Sequence, residues 1–88
     1  MQWTYQIVAT QQPRVLARVL QLFDQQSIVL QSLMLTQTEV EIRVRISAEI
    51  EPALAVRLQA KLLHLMAVVE VQLEAAANHD EDAFSRLP

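Results

Sequence analysis

Residues 3–17 read Trp-Thr-Tyr-Gln-Ile-Val-Ala-Thr-Gln-Gln-Pro-Arg-Val-Leu-Ala. Over residues 3–10, Trp3, Tyr5, Ile7 and Ala9 alternate with Thr4, Gln6, Val8 and Thr10, the period of a half-buried strand. Gln11 and Gln12 break the alternation. Pro13 then suits the first position of a helix, where its missing N–H costs nothing. From there Leu16, Val19, Leu20 and Phe23 recur at helical spacing, widened by Val15 and Leu22. This predicts a helix over residues 13–25 with Arg14, Arg18, Gln21 and Gln25 on its wet side. The same plan returns in residues 39–56, Glu-Val-Glu-Ile-Arg-Val-Arg-Ile-Ser-Ala-Glu-Ile-Glu-Pro-Ala-Leu-Ala-Val.

In that second copy Val40, Ile42, Val44 and Ile46 alternate with Glu39, Glu41, Arg43, Arg45 and Ser47, so one face is core and the other is solvated. A second helix is expected over residues 49–65, with Pro52 near its start and Leu54, Leu58, Leu62 and Leu65 as its stripe. Two further strands complete the plan. Residues 28–35 are apolar on both faces, with Ile28, Leu30 and Met34 on one and Val29, Leu33 and Leu35 on the other. Residues 68–73 point Val69, Val71 and Leu73 inward. Thr36, Gln37 and Thr38 connect the second and third strands, although none is an ideal turn former. The order βαββαβ is the ferredoxin-like plan of the α+β class, a four-stranded antiparallel sheet with two helices on one face. Right-handed crossovers put the first and third strands at the centre and the second and fourth at the edges. The second strand is then an edge with no charge from residue 28 to residue 38. Proteins normally protect such an edge with charge or cover it. Pairing with a second copy along Val29, Gln31, Leu33 and Leu35 would cover this one.

Eighty-eight residues make one domain, here residues 1–74 followed by a flexible tail, residues 75–88. The tail is expected to be solvated, because periodicity fails from Ala75 onward. A 52% hydrophobic content is generous for this size, and a partner surface is the simplest place to cover the surplus. The absence of cysteine excludes a disulfide framework, a thiolate metal site and a cysteine nucleophile. The absence of glycine excludes the phosphate-cradling fingerprints. Net charge is −3, most of it in the tail, so no electrostatic footprint for nucleic acid exists. No apolar stretch is long enough to span a membrane and no signal peptide is visible, so the expected location is the cytoplasm.

Residues 12–23, Gln-Pro-Arg-Val-Leu-Ala-Arg-Val-Leu-Gln-Leu-Phe, resemble the first helix of ACT domains, small ferredoxin-like modules that sense amino acids. The resemblance is greatest to the ACT domain of the acetolactate synthase small regulatory subunit, in its short form, whose loop typically reads Asn-Glu-Pro-Gly-Ala-Leu-Ser-Arg-Val. Residues 28–33, Ile-Val-Leu-Gln-Ser-Leu, parallel that family's Tyr-Asn-Ile-Glu-Ser-Leu, and residues 58–68 parallel its Gln-Leu-His-Lys-Leu-Val-Asp-Val ending. Together these cover residues 5–74. The resemblance implies a non-catalytic subunit that forms a homodimer and activates a large catalytic subunit in branched-chain amino-acid synthesis. Thiamine diphosphate, FAD and magnesium belong to that large subunit, and no cofactor is expected in this chain. It also implies an effector loop at Gln11, Gln12, Pro13, Arg14 and Val15, completed by Val29. Three departures disable that loop: Arg14 stands where the family has glycine, Val29 where it has asparagine, and Gln11 where a shorter asparagine is usual. Sensitivity to valine is therefore expected to be weak or absent. The alternative is a free-standing amino-acid-binding ACT domain that acts on a different client.

Other side chains have blander readings. Arg14 could hold an effector carboxylate at a helix N-terminus, or simply be an exposed first-turn residue. His64 has no nucleophile or orienting carboxylate at a readable spacing, and suits the C-terminus of the second helix. The sequence His79-Asp80-Glu81-Asp82 is read as solvated tail rather than a cation site. Arg43 and Arg45 lie on a strand face without the stacking aromatics of an RNA platform.

Overall fold

The computed structural model describes residues 1–75 of the chain. The elements are β1 (Gln2–Thr10), α1 (Val15–Gln25), β2 (Leu30–Gln37), β3 (Glu41–Glu49), α2 (Pro52–Leu63) and β4 (Val68–Ala75). All strand pairs are antiparallel, in the order β2-β3-β1-β4. The expected centre and edges are therefore the observed ones. Register aligns the inward residues in rows across the sheet: Leu33, Ile46, Tyr5 and Leu73 form one, and Leu35, Val44, Ile7 and Val71 the next. The buried members of these rows share one core with Val15, Val19 and Phe23 of α1 and Ala55, Leu58 and Leu62 of α2. Both helices thus cover the same sheet face.

Tyr5 sits at the middle of that core, fully buried. Its hydroxyl donates to the Ala55 carbonyl of α2 at 2.8 Å. Its ring meets Phe23 of α1 edge to face, with centroids 5.2 Å apart. Burial pushes the phenol up to about 12.

Several local expectations are corrected. Pro13 is not the first helical residue; it lies in the turn before α1, and Arg14 is the N-cap with φ 69°. Pro52 does open α2, but Glu49 belongs to β3. Val40 is outside β3 and 74% exposed. It lies in a tight turn that Thr38 closes: its N–H donates to Thr38 Oγ1 at 3.3 Å, as Glu41 N–H does at 3.1 Å. This is the side-chain turn chemistry that makes Thr useful without glycine. Val69 was expected inward and is exposed, because β4 carries one extra residue there: Val8 pairs with Glu70 and Ala9 with Val68. A second irregularity in β2 pairs Leu30 with Ala48 and Ser32 with Ser47, leaving Gln31 unpaired. Leu30 therefore joins Leu33 and Leu35 on the helix side, and Met34 faces the other way. β4 runs to Ala75, and residues 76–88 lie outside the described residues.

The end of α1 shows what a chain without glycine must accept. Ser27 N–H donates to Asp24 O at 2.9 Å and Ile28 N–H to Phe23 O at 3.1 Å, the paired bonds of a Schellman motif. The residue that motif holds in left-handed conformation is usually glycine; here it is Ser27, φ 57°.

Two predictions follow from this packing. Ser27→Gly relieves the left-handed cost of a Cβ, partly offset by glycine's extra freedom when unfolded, and raises stability by about 0.5–1 kcal/mol in urea titration. Tyr5 ionises near 10 in the unfolded chain and near 12 when folded, so the unfolded state loses its proton first as pH rises. Its contribution is intact below pH 10 and is lost between pH 10 and 12, amounting to about 2–3 kcal/mol. Tyr5→Phe should lower neutral-pH stability by about 1 kcal/mol while flattening that alkaline decline; an unchanged pH profile in the variant would assign the decline to other groups.

Candidate functional site: effector loop and pairing edge

The loop between β1 and α1 is anchored by its backbone. Thr10 N–H donates to Ala67 O at 2.8 Å, tying it to the turn before β4, and Gln11 N–H donates to Val40 O at 3.0 Å, tying it to the β2–β3 turn. The Gln11 side chain reaches β2, where Nε2 donates to Gln37 Oε1 at 2.8 Å. Gln12, Pro13 and Arg14 are exposed, whereas Val15 is buried in the core. No side chain caps α1 and no acid occupies its first turn. Its first N–H groups and the Arg14 guanidinium together favour an anion, such as a carboxylate. The left-handed φ of Arg14 is the conformation for which glycine has no steric penalty. The departure noted in the sequence thus falls on a position that has a physical use for glycine.

Beside this loop is a hollow of only about 40 Å³, lined by Gln12, Pro13, Val15, Arg18, Leu65, Met66 and Ala67. Small-molecule sites usually measure a few hundred Å³. Among the described residues, the hollow beside the loop is thus too small for such a ligand.

Val29 does not join the loop within one chain. It is 81% exposed, just before β2, and lines a separate open cleft of about 390 Å³ with Ile28, Gln31, Ile50, Leu54 and neighbouring polar residues. Gln37, which holds Gln11, is at the far end of β2, roughly 23 Å away at strand rise. The two halves of the expected effector site are thus at opposite ends of the edge strand.

The sheet's two edges differ. On β2, Leu33, Met34 and Leu35 are exposed at 40% or more and no charge interrupts the strand. Gln31 Oε1 accepts from Gln2 Nε2 at 2.7 Å, across β3. β4 is blunted three ways: Glu70 and Glu74 are exposed on it, Val69 bulges, and Gln59 Nε2 of α2 donates to Val71 O at 3.2 Å. On the open sheet face Arg43 pairs with Glu41 at 2.7 Å, and both that carboxylate and Glu70 hold its guanidinium above its ordinary value. Among the described residues that face carries no aromatic side chain, since Trp3 and Tyr5 point with the odd residues of β1 toward the helices. His64 is the C-cap of α2, as expected. Among the described residues no cluster of metal-ligating side chains exists, and no helix is long and apolar enough to cross a membrane. His79, Asp80, Glu81 and Asp82 lie outside the described residues. Sequence reading missed Gln37 and Met66, which frame the loop; they are remote in sequence, and neither carries a motif.

The chain has no match among curated protein sequences. Among solved structures it is similar to the ACT domain of a GTP pyrophosphokinase from Chlorobium tepidum, with TM-score 0.76 and 11% identity over 84% of this chain and 97% of that one. It is also similar to an acetolactate synthase small subunit from Thermotoga maritima, with TM-score 0.74 and 16% identity over 90% of this chain and 50% of that one. A formyltetrahydrofolate deformylase from Burkholderia mallei matches at TM-score 0.71 and 13% identity, over 85% of this chain and 28% of the enzyme. Residues 1–80 match the ACT-like domain family, and the chain belongs to it.

Proposed function

We propose that this chain is a regulatory ACT module that pairs with a second copy through β2 and activates the large catalytic subunit of acetolactate synthase. The observation that carries the pairing is the asymmetry of the two sheet edges. An antiparallel β2–β2 contact across a two-fold axis sets the start of one β2 beside the end of the other. Val29 of each copy then approaches Gln11 to Arg14 of its mate, and the separated halves become one site. The client rests on the resemblance of residues 5–74 and on the likeness to the Thermotoga maritima small subunit. Activation would come from differential binding to the active conformation of the large subunit.

The effector site in this reading is weak. Arg14 fills the space a glycine would leave, and Val29 offers no side-chain hydrogen bond across the pair. Each lost ligand hydrogen bond costs about 1–3 kcal/mol, roughly tenfold to a hundredfold in affinity. The likeness to the ACT domain of a GTP pyrophosphokinase, which matches over nearly all of that domain, favours a second reading: an ACT module for another client.

Leu33→Lys sets a charge on the bare edge and should shift light-scattering mass from dimer to monomer. A wild type that stays monomeric at high concentration removes the pairing. Titrating the chain into an acetolactate synthase large subunit should raise the rate to saturation, with little inhibition by valine. No change in rate, alongside calorimetric binding of an amino acid, would favour the second reading. Arg14→Gly with Val29→Asn should tighten valine binding about tenfold or more if the site is only disabled.

A further inference from the structure

The sheet face turned away from the helices is divided by sign. Val8 of β1 pairs with Arg43 on one side and Glu70 on the other, Gln6 with Arg45 and Gln72, and Thr4 with Ser47 and Glu74. On this face β3 thus carries the cations Arg43 and Arg45 and β4 the anions Glu70 and Glu74, with uncharged β1 between them. All four are exposed. Arg43 is tied to Glu41, but Arg45, Glu70 and Glu74 have no ion-pair partner among the described residues. One chain cannot pair Arg45 with Glu74, because β3 and β4 are two strand spacings apart, about 10 Å. Over β3 is a hollow of about 190 Å³, lined by Gln6, Met34, Thr36, Arg43 and Arg45.

A half-turn about an axis along β1, just above this face, lays β4 of a second copy over β3 of the first. It keeps every residue at its height along the strands. Arg43 then lies under Glu70 of the second copy, and Arg45 lies under its Gln72, between Glu70 and Glu74. Val8 meets Val8 on the axis. Packed sheets lie about 10 Å apart, a gap that an arginine and a glutamate side chain span together. The hollow over β3 lies beneath the incoming β4. The outer seam of α2 has no such self-match: it bares Val56 and Leu63, but its charges are the cations Arg57 and Lys61, which would repel those of a second copy.

We propose that the open sheet face binds the same face of a second copy, turned over about β1, so that Arg43 and Arg45 of each chain meet Glu70 and Glu74 of the other. The overlap covers β3, β1 and β4, roughly 15 by 20 Å, and falls short of the roughly 1,200 Å² at which stable interfaces begin. The contact is therefore weak, held by charge and screened by salt. At about 0.15 M salt and micromolar chain it adds nothing to the mass, which there reports β2 pairing. Nothing in it depends on the client enzyme or on β2. Its axis lies along β1, unlike that of the β2 contact, so the two together do not close.

Sedimentation of the full-length protein in a Leu33→Lys background, where β2 pairing is blocked, isolates this contact. At about 0.02 M salt, where the Debye length is roughly 20 Å, mass should rise from monomer toward dimer between micromolar and millimolar chain. About 0.5 M salt, with a Debye length of roughly 4 Å, should restore the monomer. Arg43→Glu with Arg45→Glu should weaken the association at least tenfold, as should Glu70→Arg with Glu74→Arg in a separate variant. An equal mixture of the two variants, each shown to be folded by circular dichroism, should associate as well as the parent. A parent that stays monomeric at low salt overturns the proposal, and so does association that survives either reversal or a mixture that fails to restore it. Low-salt mass in the wild-type background that the reversals leave unchanged, but Leu33→Lys removes, belongs to β2 pairing alone and also overturns it.

Discussion

Three elements of this fold meet at one side chain. Tyr5 comes from the central strand β1, stacks its ring edge against Phe23 of α1 and gives its hydroxyl to the Ala55 carbonyl of α2. A buried hydroxyl must find a partner or lose about 1–3 kcal/mol, so its bond fixes how close α2 comes to the sheet. The small side chain of Ala55 permits that approach. The buried positions of α2 are accordingly Ala55, Leu58 and Leu62, with Leu54 and Leu65 only at the margin of the core. Everything that presents the loop and the edges to solvent is set by this central clamp, because α1 begins at the loop and α2 seals one edge.

The second constraint is the absence of glycine. Two turns still require left-handed backbone, and Arg14 and Ser27 supply it at the two ends of α1. At Ser27 the strain serves only to terminate a helix. At Arg14 it occupies the place where a ligand-binding loop would use glycine to let a backbone approach. The same loop is held by three hydrogen bonds from Thr10 and Gln11, so its position is fixed even though its steric character is altered. The loop backbone is tied at once to the turn before β4 and to the β2–β3 turn.

The edges of the sheet divide along similar lines. β4 is a closed edge, with charges, a bulge and a donor from α2. β2 is an open one: it carries no charge, Leu33, Met34 and Leu35 are exposed on it, and no element covers it among the described residues. A small domain with a 52% hydrophobic composition has little area in which to hide its apolar residues, and this sheet concentrates the surplus on one strand and on the outer seam of α2. Val40 and Met66 are exposed as well, but they stand singly beside the loop and form no strip.

Periodicity in the sequence determined the six elements, their order, the class of fold and the identity of the bare edge. These follow from local rules: alternation marks strands, three- and four-residue spacing marks helices, and crossover handedness leaves one strand order. The family was legible too, through the resemblance of residues 12–23, 28–33 and 58–68 to its pattern. What alternation could not show was where it would fail. An extra residue at Val69 and another at Gln31 change which side chains face inward, and bulges arise from pairing between strands, not from either strand alone. Val40 satisfied the alternation of β3 yet belongs to a turn, because the Thr38 hydroxyl captures the nearby N–H groups. Only tertiary structure decided that Val29 and Arg14 are held apart at opposite ends of β2. Sequence can place two residues in one motif, but the length of a strand decides whether one chain can bring them together.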